Sequence, residues 1–280
     1  MESITKNRQS TQTLRAMIER AFGPDQVPEG DDFAHELGHG GFNVAYRIAL
    51  RDGTAAVLKI APPAGVRVMT YEHEMMANEV AALALVTEHT DVPVPGLLYS
   101  DTAHDLCDAD WFFMTFIEGD NVGVLIEEGK ITDQQLDHYN ELLGAANREL
   151  NTIVGPHFGP LPGPGETTWR ATFSRMIEDV LTDGERAGVD LGQDYDHLRR
   201  VIADHAELLD DVTEPRFVEW DLWTSNMMVH DGALAAIIDH ERAIYGDPLF
   251  EAGFTAIDLP AVGDPAGFMR GYGQAPLTER

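Results

Sequence analysis

The chain has 280 residues, 44% of them apolar, and carries 48 acids against 19 Lys and Arg, a net charge of −29. Such a charge repels phosphates at long range, which argues against nucleic-acid or anionic-membrane partners; it would draw in a cationic substrate, or else reflects a solvated, self-repelling surface. The single cysteine, Cys107, excludes an intramolecular disulfide framework and a four-Cys zinc site and suits a reducing cytoplasm.

The first stretch, MESITKNRQSTQTLRAMIERAFG, alternates charge and apolarity at helical spacing, which predicts a helix over 11–22 rather than a secretory leader. No later segment approaches the ~20 uninterrupted apolar residues of a membrane span. After the turn-rich PDQVPEGDD, the segment FAHELGHGGFNVAYRIALRDGTAAVLKIA reads as strand, glycine loop, strand, Asp52-Gly53 turn and strand, an antiparallel meander. A helix follows through TYEHEMMANEVAALALVTEH and ends at the prolines of DVPVPGLLYS. DWFFMTFIEGDNV is a short strand leading to a linker near 117–123. Beyond it helices are expected over 133–150, 168–187 and 194–209, with the Gly- and Pro-rich GPHFGPLPGPGE as an irregular connection between the first two. NMMVHDGALAAIIDHE is a second strand–turn–strand unit. The expected architecture is α+β and bilobal. A mostly β first lobe, 1–117, holds the glycine loop, a strand lysine and a helix glutamate, and a mostly helical second lobe, 118–280, holds the remaining site.

Gly38, Gly40 and Gly41 lie between two strands, where missing Cβ atoms let backbone N–H groups approach phosphates. Lys59, one of only three lysines, sits in the apolar strand AAVLKIA, where an ammonium needs an anion. Glycine loop, hairpin and strand lysine, in that order, fit a kinase-type nucleotide site whose lysine is held by a glutamate of the next helix. Glu79 is the best candidate for that acid, with Glu74 and Glu72 as rivals. A Walker-type loop is set aside, because the stretch 123–130 has one residue too many and is followed by Ile131 where Ser or Thr should stand.

In FVEWDLWTSNMMV, Asp221 and Asn226 are five residues apart, the spacing of a phosphoryl-transfer base and a magnesium-binding carboxamide. Pairing of 227–229 with 234–239 should bring Asn226 close to Asp239, an acid that closes an apolar strand and suits a divalent cation. Trp220, Leu222 and Trp223 are read as apolar supports of the loop. A metal-dependent hydrolase built on His230, Asp239 and His240 is disfavoured, since neighbouring strand residues point to opposite faces.

With these residues together, the chain from about 33 to 256 resembles the aminoglycoside phosphotransferase and choline kinase group, small-molecule relatives of protein kinases, most of all in WDLWTSN and IIDHERAIYGDP. The resemblance implies a protein-kinase-like fold, with ATP and Mg²⁺ as cofactors. It implies Asp221 as base, Asn226 and Asp239 as magnesium ligands, Lys59 with Glu79 as the phosphate-positioning pair, and backbone groups from Thr115 to Ile117 around adenine. Asp247 would brace the base loop by accepting backbone hydrogen bonds. The group usually has His two residues before the base, where this chain has Glu219. Its members often continue past the position of the ending GYGQAPLTER, which predicts a shortened second lobe. The activity expected is γ-phosphate transfer to a hydroxyl of an aminoglycoside, amino sugar, glycated amine or choline-like alcohol. Asp179 and Asp183, one helical turn apart, would face a substrate ammonium or else be solvated surface acids. A catalytically inactive nucleotide-binding scaffold is the competing class, and it predicts loss of the lysine, base or metal ligands, all of which are present.

Overall fold

The computed structural model describes residues 3–38, 40–255 and 266–273. The chain forms two compact units, one of residues 1–67 with 95–118 and one of 68–94 with 119–280. Residues 274–280 of the ending GYGQAPLTER lie outside the described residues, and with them the expectation of a shortened second lobe.

In the first unit, helix α1 (Thr11–Phe22) starts where the Ser10 hydroxyl accepts the Thr13 N–H and stops at Gly23. Its Leu14, Met17 and Ile18, at helical spacing, pack with Val44, Ile48, Leu58, Trp111 and Phe113 in one core. Those partners come from strands β2 (Val44–Ala49), β3 (Ala55–Ile60) and β5 (Trp111–Thr115), which share a sheet with β1 (Ala34–Glu36) and β4 (Leu97–Asp101). The sheet has the order β1-β2-β3-β5-β4, antiparallel throughout. The expected meander is present, and the Asp52-Gly53 turn closes with the Thr54 N–H donating to Asp52 Oδ1 at 2.8 Å.

The second unit holds β6 (Asp120–Asn121), β7 (Gly159–Pro160), β8 (Arg216–Val218), β9 (Met227–His230), β10 (Ala233–Ile237) and β11 (Ile244–Gly246) in two small sheets. Around them stand α2 (Met75–His89), α3 (Val122–Glu127), α4 (Asp133–Leu150), α5 (Trp169–Ala187), α6 (Tyr195–His205), α7 (Ala252–Thr255) and α8 (Ala266–Tyr272). Helix α4 starts on a capping box in which Thr132 and Gln135 satisfy each other's backbone N–H groups. Its crossing with α8 is close: a Cβ on Gly144 would stand 1.9 Å from Phe268 O, and one on Gly271 would stand 1.8 Å from Glu141 O. Only glycine fits at either point.

Helix α2 was expected in the first lobe but packs with the second unit, for a physical reason. Buried Asn78 donates from Nδ2 to Glu241 O and Ala243 O at 3.0 and 2.6 Å, and its Oδ1 accepts the Leu161 N–H at 3.1 Å. Ala82 and Val86 join Val122, Leu143, Leu150, Leu222 and Met227 in the larger core. Among the described residues no helix is long and apolar enough to cross a membrane.

Candidate active site

Strand β8 delivers the chain into the loop that carries Asp221. Trp220 there has φ +65, a conformation that a bulky side chain holds only when its surroundings fix it. The indole lies between Tyr71 and Phe250, with centroids at 5.3 and 5.1 Å, and Leu222 enters the core. The tryptophan and leucine thus support the loop, as their apolarity suggested. The backbone is held by Glu251. Its Oε2 accepts the N–H groups of Glu219 and Trp220 at 3.0 and 3.2 Å, and its Oε1 those of Leu222 and Ala252 at 2.8 and 2.9 Å. Burial pushes the Glu251 carboxyl up to about 8, against the donors of Leu222, Ala252 and Trp220. All four lone-pair directions are nevertheless filled by N–H groups, and a proton on either oxygen would displace one, so the geometry selects the carboxylate. Asp247, expected in this bracing role, instead accepts the Leu249 N–H at 3.0 Å and caps a short turn.

Asp221 keeps about a third of its side chain exposed, and its carboxyl lies above the ordinary carboxylate value. Burial is the main cause; the Arg242 guanidinium, 4.0 Å away, opposes it, and the Asp239 and Glu219 charges add to it. Asn226 ends the 3-10 turn Thr224–Asn226. Its Nδ2 donates to Asp221 O at 2.9 Å, which leaves the carboxamide oxygen as the atom suited to a cation.

The hairpin of β9 and β10 turns at Asp231 and Gly232, whose φ values of +50 and +80 fit a two-residue primed turn. Met227 pairs with Ile237, and beyond them the Ile238 N–H donates to Asn226 O at 2.9 Å. Asn226 and Asp239 therefore meet at the open end, as the strand spacing predicted. Asp239 takes a left-handed conformation, φ +69 and ψ +53. One carboxylate oxygen each from Glu79, Asp239 and Glu241 lie within 4.8 Å of one another. Three hard oxygen donors this close together fit a divalent cation such as Mg²⁺. Of the three acids considered as the partner of Lys59, Glu79 is the one that belongs to this cluster. Glu72 accepts the Met69 N–H at 2.8 Å, and Glu74 is exposed at the start of α2.

His240 follows Asp239 and is fully buried. Its Nε2–H donates to Ile237 O at 3.0 Å and its Nδ1–H to Glu219 Oε1 at 2.7 Å. Burial lowers the ring's proton affinity, but the Glu219 carboxylate carries it above the ordinary histidine value. The ring is thus a member of a buried pair and not a metal ligand, which agrees with setting the hydrolase aside.

In the first unit, Lys59 is a buried residue of β3, paired across the ladder with Ala45 and Phe112. A Cβ on Gly38 or Gly41 would meet nothing within 4 Å, so those glycines leave open space along the loop and are not demanded by packing. Ser3 and Thr5 hydroxyls each donate to Gly41 O at 3.2 Å, and Lys6 Nζ donates to Asn43 O at 2.6 Å. The N-terminal segment therefore lies along the glycine loop. Thr115 gives its N–H to Gly96 O and its hydroxyl accepts the Gly96 N–H. Its amide is already engaged, whereas Ile117 lies past the end of β5.

Asp179 and Asp183 sit on α5. Asp183 accepts the Thr70 N–H at 2.6 Å and the Thr70 hydroxyl at 3.1 Å, which ties the segment before α2 to α5. Asp179 is raised above the ordinary value by burial, against Arg175 and with Asp183 adding.

Glu251, Asn78, Arg242 and the Glu219–His240 pair were not identified as functional from sequence. Glu219 stood out only as a departure from the resembled group and His240 only as a disfavoured metal ligand, while Asn78 left its signal as a polar residue on the apolar face of α2 that also carries Met75, Ala82 and Val86.

A model of the family described as "Phosphotransferase enzyme family" matches residues 34–280. No curated protein matches the chain. Among solved structures, a candidate fructosamine-3-kinase from Thermobifida fusca aligns with a TM-score of 0.69 at 19% identity, over 97% of this chain and 86% of that one. The aminoglycoside phosphotransferase APH(4)-Ia aligns with a TM-score of 0.64 at 15% identity, over 93% and 81%. The ternary complex of APH(2″)-IIa with streptomycin and ATP aligns with a TM-score of 0.62 at 14% identity, over 96% and 84%. At these identities the likeness is one of fold.

Proposed function

The chain belongs to the phosphotransferase enzyme family and is a small-molecule kinase, and we propose that it transfers the γ-phosphate of ATP, with Mg²⁺, to a hydroxyl of a small amine-bearing molecule. The observation that carries this assignment is the meeting of Asp221, Asn226 and Asp239 where one braced loop adjoins one hairpin.

Asp221 is the proposed base. It is exposed enough to meet an acceptor hydroxyl and basic enough, through burial, to take its proton. The acceptor oxygen forms its bond to the γ-phosphorus as the bond from phosphorus to the ADP oxygen breaks, and the hydroxyl proton passes to an Asp221 oxygen. Asn226 and Asp239, with Glu79 and Glu241 beside Asp239, would hold Mg²⁺. When bound, the ion neutralises charge on the phosphate oxygens. From the first unit, Lys59 and the loop of Gly38, Gly40 and Gly41 would take the phosphates. The chain segment through Thr115 and Ile117 would take adenine, with Ile117 offering the backbone groups. An amine-bearing acceptor is supported by the net charge of −29 and by Asp179.

The test is ADP release over a panel of amino sugars, aminoglycosides, glycated amines and amino alcohols, with and without Mg²⁺. Turnover should need both acceptor and metal, and Asp221→Asn should abolish it while Mg-ATP still binds. Acceptor-independent ADP release across the panel, or an Asp221→Asn variant as active as the parent, would overturn the proposal.

A further inference from the structure

His240 spans two loops that the sequence separates by about twenty residues. Its Nε2–H holds Ile237 O, two residues before Asp239, and its Nδ1–H holds Glu219, two residues before Asp221. Each end of the bridge therefore lies the same short distance ahead of one proposed functional carboxylate. Both stretches it joins are conformationally costly, with Trp220 at φ +65 and Asp239 at φ +69, and such conformations persist only where neighbouring contacts over-determine them. Glu251 fixes the backbone of the first stretch. His240 adds a buried side-chain contact between the two stretches, beside the link through Asn226, which bonds Asp221 O and the Ile238 N–H.

The contact is not explained by stability. A buried hydrogen-bonded polar pair gains little or nothing over apolar residues of similar volume, because taking both groups out of water offsets their attraction. The ring comes from the hairpin side and meets an acid on the base loop.

We propose that His240, held by Glu219, is a positioning residue that fixes the base Asp221 relative to the magnesium ligand Asp239. The proposal rests on the phosphotransferase assignment above. Neither side chain need touch substrate or metal. Their role is to keep two carboxylates on separate loops at a working separation.

The design of the test follows from the hydrogen bonds. Glu219→Gln keeps the bridge without the charge, since a glutamine N–H can donate to Nδ1 while Nε2–H still holds Ile237 O. Glu219→Ala and His240→Phe break it. The double variant E219L/H240F replaces both polar partners by apolar groups, so it should fold without a stranded charge yet lacks the bridge. Two readouts are needed: steady-state turnover, and the affinity of Mn²⁺ in the presence of ADP, followed by electron paramagnetic resonance without any turnover. The broken-bridge variants, including the folded double variant, should lose ten- to a hundred-fold in kcat and about ten-fold in Mn²⁺ affinity, with acceptor KM within about two-fold. Glu219→Gln should return both to within about three-fold of the parent. A folded E219L/H240F protein with the parent's kcat and Mn²⁺ affinity would overturn the positioning role and leave the enzyme assignment intact. A parent protein that neither binds Mn²⁺ with ADP nor releases ADP would instead overturn the assignment, and the positioning role with it.

Discussion

Glutamine at position 251 is the sharpest single perturbation of the base loop. Glu251→Gln changes neither volume nor shape, so no cavity or strain contribution enters and the effect comes from hydrogen bonding alone. The parent carboxylate accepts four backbone N–H groups, two on each oxygen. A glutamine carbonyl can serve two of them, while its NH₂ turns donors toward the other two. Leaving a buried N–H unsatisfied costs about 1–3 kcal/mol, so two of them cost roughly 2–6 kcal/mol against a typical total stability of about 5–15 kcal/mol. For a unit of this size, each kcal/mol shifts the unfolding midpoint by about 2–4 °C, which places the expected drop near ~10 °C. Calorimetry reads that drop, and ADP release should fall at least about ten-fold, because Trp220 and Leu222, on either side of Asp221, lose their anchor. A carboxyl carried as the neutral acid, as burial alone would favour, already presents one O–H donor and would tolerate glutamine. A variant that melts within about 2 °C of the parent and turns over at the parent's rate would therefore refute the ionised brace.

The remaining predictions concern charge. The base acts as the carboxylate, so turnover should fall as pH drops through the raised Asp221 value. Arg242→Ala removes the opposing charge and should move that acid limb of the kcat–pH profile to higher pH; an unmoved limb would exclude Asp221 as the titrating base. Asp179→Ala should raise KM for a cationic acceptor and not for a neutral one, whereas Asp183→Ala, which loses both Thr70 contacts, should lower thermal stability whatever the acceptor. An unchanged KM in Asp179→Ala would remove that acid from the acceptor site. The Asp105 carboxyl is held below its ordinary value mainly by the Arg20 guanidinium; Asp101 is also depressed, because the Ala103 N–H and Arg20 together outweigh its burial. Depressed acids stabilise the fold above their unfolded value, and that contribution is lost as pH falls through the folded one. Arg20→Ala should therefore flatten the acid limb of the denaturation midpoint against pH, and an identical limb would contradict it.

What could be read from the sequence divides by how far apart the deciding atoms lie along the chain. Ser10 and Thr132 cap helices through partners three residues away. The Asp52-Gly53 and Asp231-Gly232 turns are settled by their own backbone angles, and the spacing of Asp221, Asn226 and Asp239 acquires meaning once the second hairpin is assigned. Glu79 shows where this reach ends. Periodicity put it on a helix, but the helix joins the second unit because Asn78, its neighbour, binds three backbone groups between 161 and 243, a choice that no local pattern states. The brace fell on the wrong acid for a related reason: Asp247 and Glu251 stand four residues apart in similar apolar company, and only the approach of the base loop distinguishes them. His240 follows the same logic in the opposite direction. His240 stands beside the proposed metal ligand Asp239, yet its ring is engaged by Ile237 O within its own turn and by Glu219 Oε1, a pairing that appears only once Glu219 is in its folded position. The residues proposed to take phosphate or metal can thus be expected from spacing, whereas those that hold their loops in register become visible only when distant segments meet.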